Sequence, residues 1–149
     1  DSLITPVGGG GLLAGSALAV AGSGQAIRVI GAEPSGAADA YESLRRGTRV
    51  LDIVPDTICD GLRATIGQPN FELLRAHGVQ VLLVEDAETM AAMRLVWERL
   101  KILIEPSCAT VLAAVLRHRD LFAGQRVGLV LSGGNVDLDQ VRFSADAAR

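Results

Sequence analysis

The sequence predicts a doubly wound α/β fold, a mostly parallel sheet with helices on both faces, and three observations lead there. Short runs rich in Val, Ile and Leu recur without clean polar–apolar alternation, as expected of strands buried on both faces. Segments with helical spacing of apolar residues lie between them, and strand alternating with helix is the signature of a parallel sheet. Three of these strand-like runs end in glycine-rich or polar residues, and open α/β sheets gather their ligands at the carboxyl ends of strands. Three such ends in one sheet imply one site.

In chain order, "SLITPV" (2–7) is the first strand, followed by four consecutive glycines and a small-residue helix over 12–21. "AIRVIGAE" (26–33) is the second strand, with a helix over 37–46. The stretch "RRGTRVLDIVPDTICDGLRATIGQPN" (45–70) shows neither period. An irregular excursion is expected there, functional in character or hiding a short helix. A helix over 70–76, the strand "VQVLLVE" (79–85) and a helix over 87–101 follow. In the last of these, Met90, Met93, Val96, Trp97 and Leu100 share one face while Glu88, Arg94, Glu98 and Arg99 take the other. A helix over 108–117 and the strand "RVGLVLSG" (126–133) complete the pattern.

The 149 residues are 49% hydrophobic with a net charge of -3, which suits one compact unit over 1–149. Lys plus Arg number 14 against 17 Asp plus Glu, and aromatics make up 3%; this offers no basic patch or stacking surface for nucleic acid. The apolar stretches fall well short of the roughly 20 residues needed to span a bilayer, and no basic region precedes one as in a signal peptide. Cys59 and Cys108 are far apart and His77 and His118 are isolated, so no zinc pattern exists. Both cysteines read as buried free thiols of a reducing compartment, hence a cytoplasmic protein. The sequence opens on Asp1 and falls at once into a strand, so it is expected to be part of a longer chain.

Glycine is poor in strand and helix alike, so Gly8, Gly9, Gly10 and Gly11 ask for something close to the backbone. Between strand and helix, such a run lets several N–H groups converge on an anion at the positive end of the helix dipole. Phosphate is the natural guest; a tight turn with close helix packing is the plainer alternative. Gly8, Gly10 and Gly15 miss the G-x-G-x-x-G spacing of dinucleotide folds, although Glu33 stands at a suitable distance, and no nucleotide P-loop is present.

Taken in order, "PVGGGGLLAG", "IGAEPSGAADAYESL", "TICDGL", "LVWERLKILIEPSCATVLAAVL" and "VGLVLSGGNVDL" resemble the C-terminal half of fold type II pyridoxal-phosphate enzymes. Within that class the chain is most similar to the serine racemase and serine/threonine dehydratase family, which includes hydroxyaspartate dehydratases. The resemblance runs from Asp1 to about Leu138. It implies that Gly8 to Gly11 and the amide of Leu12 cup the cofactor phosphate. Ser132 of "LSGGN" matches the hydroxyl that hydrogen-bonds the pyridine nitrogen. A hydroxyl can donate to an unprotonated nitrogen, whereas a carboxylate would hold a proton there and deepen the electron sink; the choice favours expelling a group from Cβ. Taken by itself, Ser132 reads as a strand-end serine in a turn.

The resemblance further implies a divalent cation, Mg²⁺ or else Ca²⁺ or Mn²⁺, on Glu33, the Ala37 carbonyl and Asp39, a set of hard oxygen ligands. Asp1 matches an acid near that ion. Without the resemblance, Glu33 and Asp39 are a strand-end acid and a helix-face acid. Glu105 of "EPSCAT" matches an acid near the cofactor ring and, beside Pro106, suits a helix start. Ser107, Cys108 and Thr110 depart in polarity from the EPAGA or EPTAG of relatives.

Lys101 is the sequence's only lysine. The family's cofactor lysine belongs to an S-x-K motif of the N-terminal half, which this chain lacks. Lys101 and Asn135 instead match contacts to an activating nucleotide, or are simply solvated polar residues. The implied function is elimination of the hydroxyl from a small β-hydroxy amino acid such as serine, giving a keto acid and ammonia, or racemisation of that substrate. The enzyme would be a homodimer, and this segment without the missing N-terminal half is expected to be inactive. A threonine or hydroxyaspartate dehydratase, a noncatalytic phosphate-ligand module and a plain nucleotide-binding domain are the alternatives.

Overall fold

A computed structural model describes residues 1–139 and 141–143. Strands β1 (Ser2–Pro6), β2 (Arg28–Pro34), β3 (Gln80–Val84) and β4 (Val127–Leu129) form one parallel sheet in the order β3-β2-β1-β4. Ile4 at the centre of β1 pairs with Ile30 on one side and Leu129 on the other. The helices are α1 (Gly11–Ser23), α2 (Asp39–Arg46), α3 (Gln68–Ala76), α4 (Asp86–Leu100), α5 (Pro106–Arg117) and the single turn α6 (Arg119–Phe122).

Strand alternation sorts the side chains into two cores. On one face Val29 and Val81 meet Leu13, Ala14 and Ala17 of α1, Ala40 of α2, and Phe71 and Leu74 of α3. On the other, Ile4, Ile30, Leu82 and Val84 meet Ala92 of α4, Val111, Ala113 and Ala114 of α5, and Phe122 of α6. Ile4, Leu13 and Ile30 are fully buried, each stabilising the fold by roughly 1.5–3 kcal/mol. At Gly31 the packing is so close that a Cβ would lie 2.7 Å from Leu13 Cδ2.

This two-sided winding positions the site. The chain steps outward from β1 to β3 with α1 to α3 on one face. It then returns across the opposite face through α4 to α6 and lays β4 on the far side of β1. Strand order therefore reverses between β1 and β4, the place where open α/β sheets bind ligands.

The predicted elements are all present, with shifted ends. The last strand covers only Val127–Leu129 and is a half-exposed edge, so 130–133 is free to form a loop. The helix expected over 37–46 divides into a 3₁₀ turn, Ser35–Ala37, and α2, which Gly47 ends at φ 72. Prolines tolerated in a first turn carry α3 and α5 back to Gln68 and Pro106. α4 stops at Leu100, because Lys101 is a left-handed cap at φ 60. The 45–70 excursion is irregular as expected, apart from the ends of α2 and α3 and one 3₁₀ turn, Asp60–Leu62. Among the described residues no helix is long and apolar enough to cross a membrane.

Candidate functional site

The glycine turn lies between β1 and α1 and forms the floor of a cleft of about 240 Å³, lined by Gly8 to Leu12, Gly61, Leu62, Glu105, Ser107 and Ser132 among others. None of the N–H groups of Gly8, Gly9, Gly10, Gly11 or Leu12 finds an acceptor among the described residues. Gly10 caps α1 at φ 87, ψ -3 and no side chain caps the helix. The glycines serve different ends. A Cβ on Gly8 would stand 3.0 Å from the Leu62 Cα, whereas one on Gly11 would meet nothing within 4 Å. Gly8 thus lets the turn close against the 60–62 segment, and Gly11 leaves the helix start open to a ligand.

No basic side chain lines this cleft. An anion there is met by converging amides and the α1 dipole. A phosphate monoester fits such a cradle, since its several oxygens can each accept from main-chain N–H groups.

The wall opposite the glycines comes from the start of α5. Ser107 accepts a hydrogen bond from the Gly61 N–H at 3.0 Å. Glu105 stands at the helix start as the sequence predicts, but its carboxylate makes no capping bond. It accepts instead from the Asn135 N–H at 3.0 Å, and its own N–H donates to the Gly133 carbonyl at 3.1 Å. A Cβ on Gly133 would collide with the Glu105 carboxylate, and one on Gly134 would lie 2.9 Å from the Leu103 carbonyl oxygen. The two glycines of "LSGGN" are there so that this loop can seat on α5, and Ser132 reaches the cleft as a result.

The structure thus brings Gly8 to Leu12, Glu105 and Ser132 together. Glu33, Ala37 and Asp39 do not line that cleft, so the three strand ends expected to form one site do not share it. Glu33 is fully buried at the end of β2, and its carboxylate accepts from the N–H groups of Ala40 at 2.9 Å and Tyr41 at 2.8 Å in α2. Burial pushes its carboxyl up to about 8, against the two amides that lower it and with Asp39 raising it further. Burial also raises Asp39, which accepts from the Ile66 N–H at 2.7 Å. Among the described residues no group of three or more His, Cys, Asp or Glu side chains could hold a metal; the acids of this corner are two, Glu33 and Asp39. Asp1 lies instead at the opening of β1, bonded through its carboxylate to the Arg126 N–H at 2.7 Å.

Lys101 and Asn135 are not brought together. Lys101 donates to the Glu98 carbonyl at 2.6 Å and lines a hollow of about 540 Å³ with Trp97 and Phe143. Asn135 lines a different one, of about 660 Å³, with Asp60 and Arg63. Cys59 and Cys108 are buried free thiols, Cys59 pushed up to about 12 by burial. The residues that the sequence left without a role are Gly61, Leu62 and Ser107 on the cleft wall and Asn70 behind the glycine turn. "TICDGL" and the altered "EPSCAT" were the signals for the first three.

A profile of the pyridoxal-phosphate dependent enzyme family matches residues 1–133. The chain belongs to this family. In this pyridoxal-phosphate family chain, 144 residues are 40% identical to a beta-hydroxyaspartate dehydratase of Paracoccus denitrificans, covering 97% of the chain and 46% of that relative. The crystal structure of serine racemase from Dictyostelium discoideum superposes with a TM-score of 0.85 at 46% identity, over 93% of this chain and 45% of that one. Maize serine racemase superposes with a TM-score of 0.87 at 38% identity, over 93% and 44%. The chain spans about half the length of the curated relatives it matches.

Proposed function

We propose that this chain is the phosphate-holding part of an enzyme that removes the hydroxyl from a small β-hydroxy amino acid, serine being the first candidate, to give a keto acid and ammonia, or that racemises the same substrate. The observation that carries this reading is the set of main-chain N–H groups from Gly8 to Leu12, without acceptors among the described residues, in residues that line a cleft at the switch point of the sheet. Pyridoxal phosphate bound there supplies the electron sink that allows an amino acid to lose its α-proton and then its β-hydroxyl.

The chain's own residues then divide the work. Gly8 to Leu12 would hold the phosphate, in the cleft that Ser132 also lines. Ser132 would offer its hydroxyl proton to the ring nitrogen without leaving a formal charge there. Glu105 and Ser107 hold the walls. Lys101, the sequence's only lysine, lies outside the cleft, so the lysine that carries the cofactor and moves the α-proton is assigned to the rest of the parent protein, as are most substrate contacts.

Glu33, the Ala37 carbonyl and Asp39 are assigned a divalent cation, Mg²⁺ first. Two buried carboxylates, Glu33 raised further by Asp39 and Asp39 alone lowered by a basic side chain, Arg49, are a donor set that a hard cation would stabilise. Residues 1–149 are taken as one unit of a larger catalytic fold, which works as a homodimer in a reducing, cytoplasmic compartment that keeps both thiols free. A nucleotide effector touching both Lys101 and Asn135 would have to bridge two hollows.

The test is to purify the full-length protein with pyridoxal phosphate and Mg²⁺, record its absorbance before and after L-serine, L-threonine or hydroxyaspartate, and follow keto acid release. A cofactor band that shifts with one of these substrates, with release of its keto acid, is expected. Absence of any cofactor band overturns the assignment and leaves the cup to another phosphate compound.

A further inference from the structure

We propose that Asn70 is the positioning residue of the phosphate cup: from the first turn of α3 it holds the Gly9 carbonyl outward and thereby aims the Gly10 N–H at the phosphate. The inference rests on the cofactor assignment. Asn70 does not line the cleft, yet its side-chain amide donates to the Gly9 carbonyl at 2.7 Å, across 61 residues of sequence. The Gly67 N–H donates to the same oxygen at 3.1 Å. In a trans peptide the N–H points opposite to the carbonyl. Fixing the Gly9 oxygen on the α3 side therefore fixes the Gly10 N–H on the cleft side.

Asn70 also bounds the space that the turn occupies. A Cβ on Gly10 would come 3.0 Å from the Asn70 Cβ and 3.1 Å from Ile66 Cγ1, at a φ of 87 that side chains rarely adopt. The helix itself has no need of this amide. α3 starts from Gly67, whose carbonyl accepts from the Phe71 N–H at 2.9 Å, with Pro69 in its first turn. A half-buried polar side chain committed to a glycine carbonyl is accounted for by the direction it imposes on that peptide.

The consequence is specific to phosphate, and that makes it separable from a general loss of stability. In the full-length protein, affinities for pyridoxal phosphate and for pyridoxal, which lacks the phosphate, are measured by cofactor fluorescence for the wild type, Asn70→Ala and the isosteric Asn70→Asp. Asn70→Ala is expected to weaken pyridoxal phosphate about tenfold, the scale of one hydrogen bond, while pyridoxal changes by less than about twofold. Asn70→Asp loses the donor and sets a carboxylate against the Gly9 carbonyl, so it weakens pyridoxal phosphate further. Inorganic phosphate should compete less well with the cofactor in both variants.

Equal losses for both ligands, or no loss for either, overturn the inference. Thermal unfolding of each variant shows whether it folds; if Asn70→Asp does not, Asn70→Ser, too short to reach Gly9, makes the same comparison. A wild-type protein that shows no preference for pyridoxal phosphate over pyridoxal overturns the cofactor assignment itself, whereas a preference kept undiminished in the variants removes only the role of Asn70.

Discussion

The glycine cup and the acid corner both lie at the carboxyl end of the sheet, and they are built in opposite ways. Residues 8–12 present main-chain N–H groups and no charged side chain of their own. Glu33 and Asp39 present side-chain oxygens, with the Ala37 carbonyl between them in sequence. The cup keeps its shape through segments distant in the chain: the 60–62 turn packs on Gly8, and α3 holds Gly9 and Gly10. The acid corner is local at Glu33, which bonds to the amides of Ala40 and Tyr41 just after it, while Asp39 is held from the 45–70 excursion by the Ile66 N–H. A site made of backbone direction is thus vulnerable to a Cβ added at Gly8 or Gly10, and a site made of carboxylates to any lost charge.

The sharpest way to break this contrast is Gly10→Ala. Left-handed strain together with overpacking against Ile66 and Asn70 amounts to roughly 3 kcal/mol, an expected loss of about 100-fold in cofactor affinity with a lowered Tm. A cofactor titration giving the wild-type Kd would mean that the turn has another conformation open to it. Glu33→Ala comes next: it strands two α2 N–H groups in a buried place and is expected to cost about 2–3 kcal/mol in denaturant unfolding. In the same variant the rise in Tm on adding Mg²⁺ should vanish, and a rise equal to that of the wild type would move the cation elsewhere.

Glu105→Ala tests where the two kinds of construction meet, because there a carboxylate holds a backbone loop. Loss of the Asn135 contact is expected to weaken cofactor binding about fivefold to tenfold, and Glu105→Gln, which can still accept that N–H, should recover most of it. If Gln is as poor as Ala, the charge matters rather than the bond. The smallest effect is at Lys101, where Gly removes a left-handed side chain at φ 60 and should stabilise the fold by roughly 1 kcal/mol in thermal unfolding.

The legible parts of the site were those marked by residue type at a strand end. Gly8 to Gly11 and Ser132 stood where apolar runs stop, and Glu105 stood beside a proline that opens a helix. Gly61, Leu62 and Ser107 were not assigned a place, because 45–70 has no period from which to deduce where it folds back, and Ser107 looks in sequence like any helix-start serine. Asn70 carried no signal at all. Its partner is a carbonyl, which every residue has, so nothing in the residue types pairs it with Gly9. The single site expected from three strand ends failed for a related reason: Glu33 turns under α2, where the amides of Ala40 and Tyr41 take up its carboxylate.

By itself the sequence determined the alternation of buried strands with helices, the turn at 8–11 and the sites of its acids, because hydrophobic period and backbone permissiveness are local properties. Tertiary structure decided which strand ends meet. Burial of both faces of β1 requires the chain to cross the sheet and return, which lays β4 beside β1 and brings Ser132 to the glycines. β2 lies on the opposite side of β1, so Glu33 ends in a corner of its own.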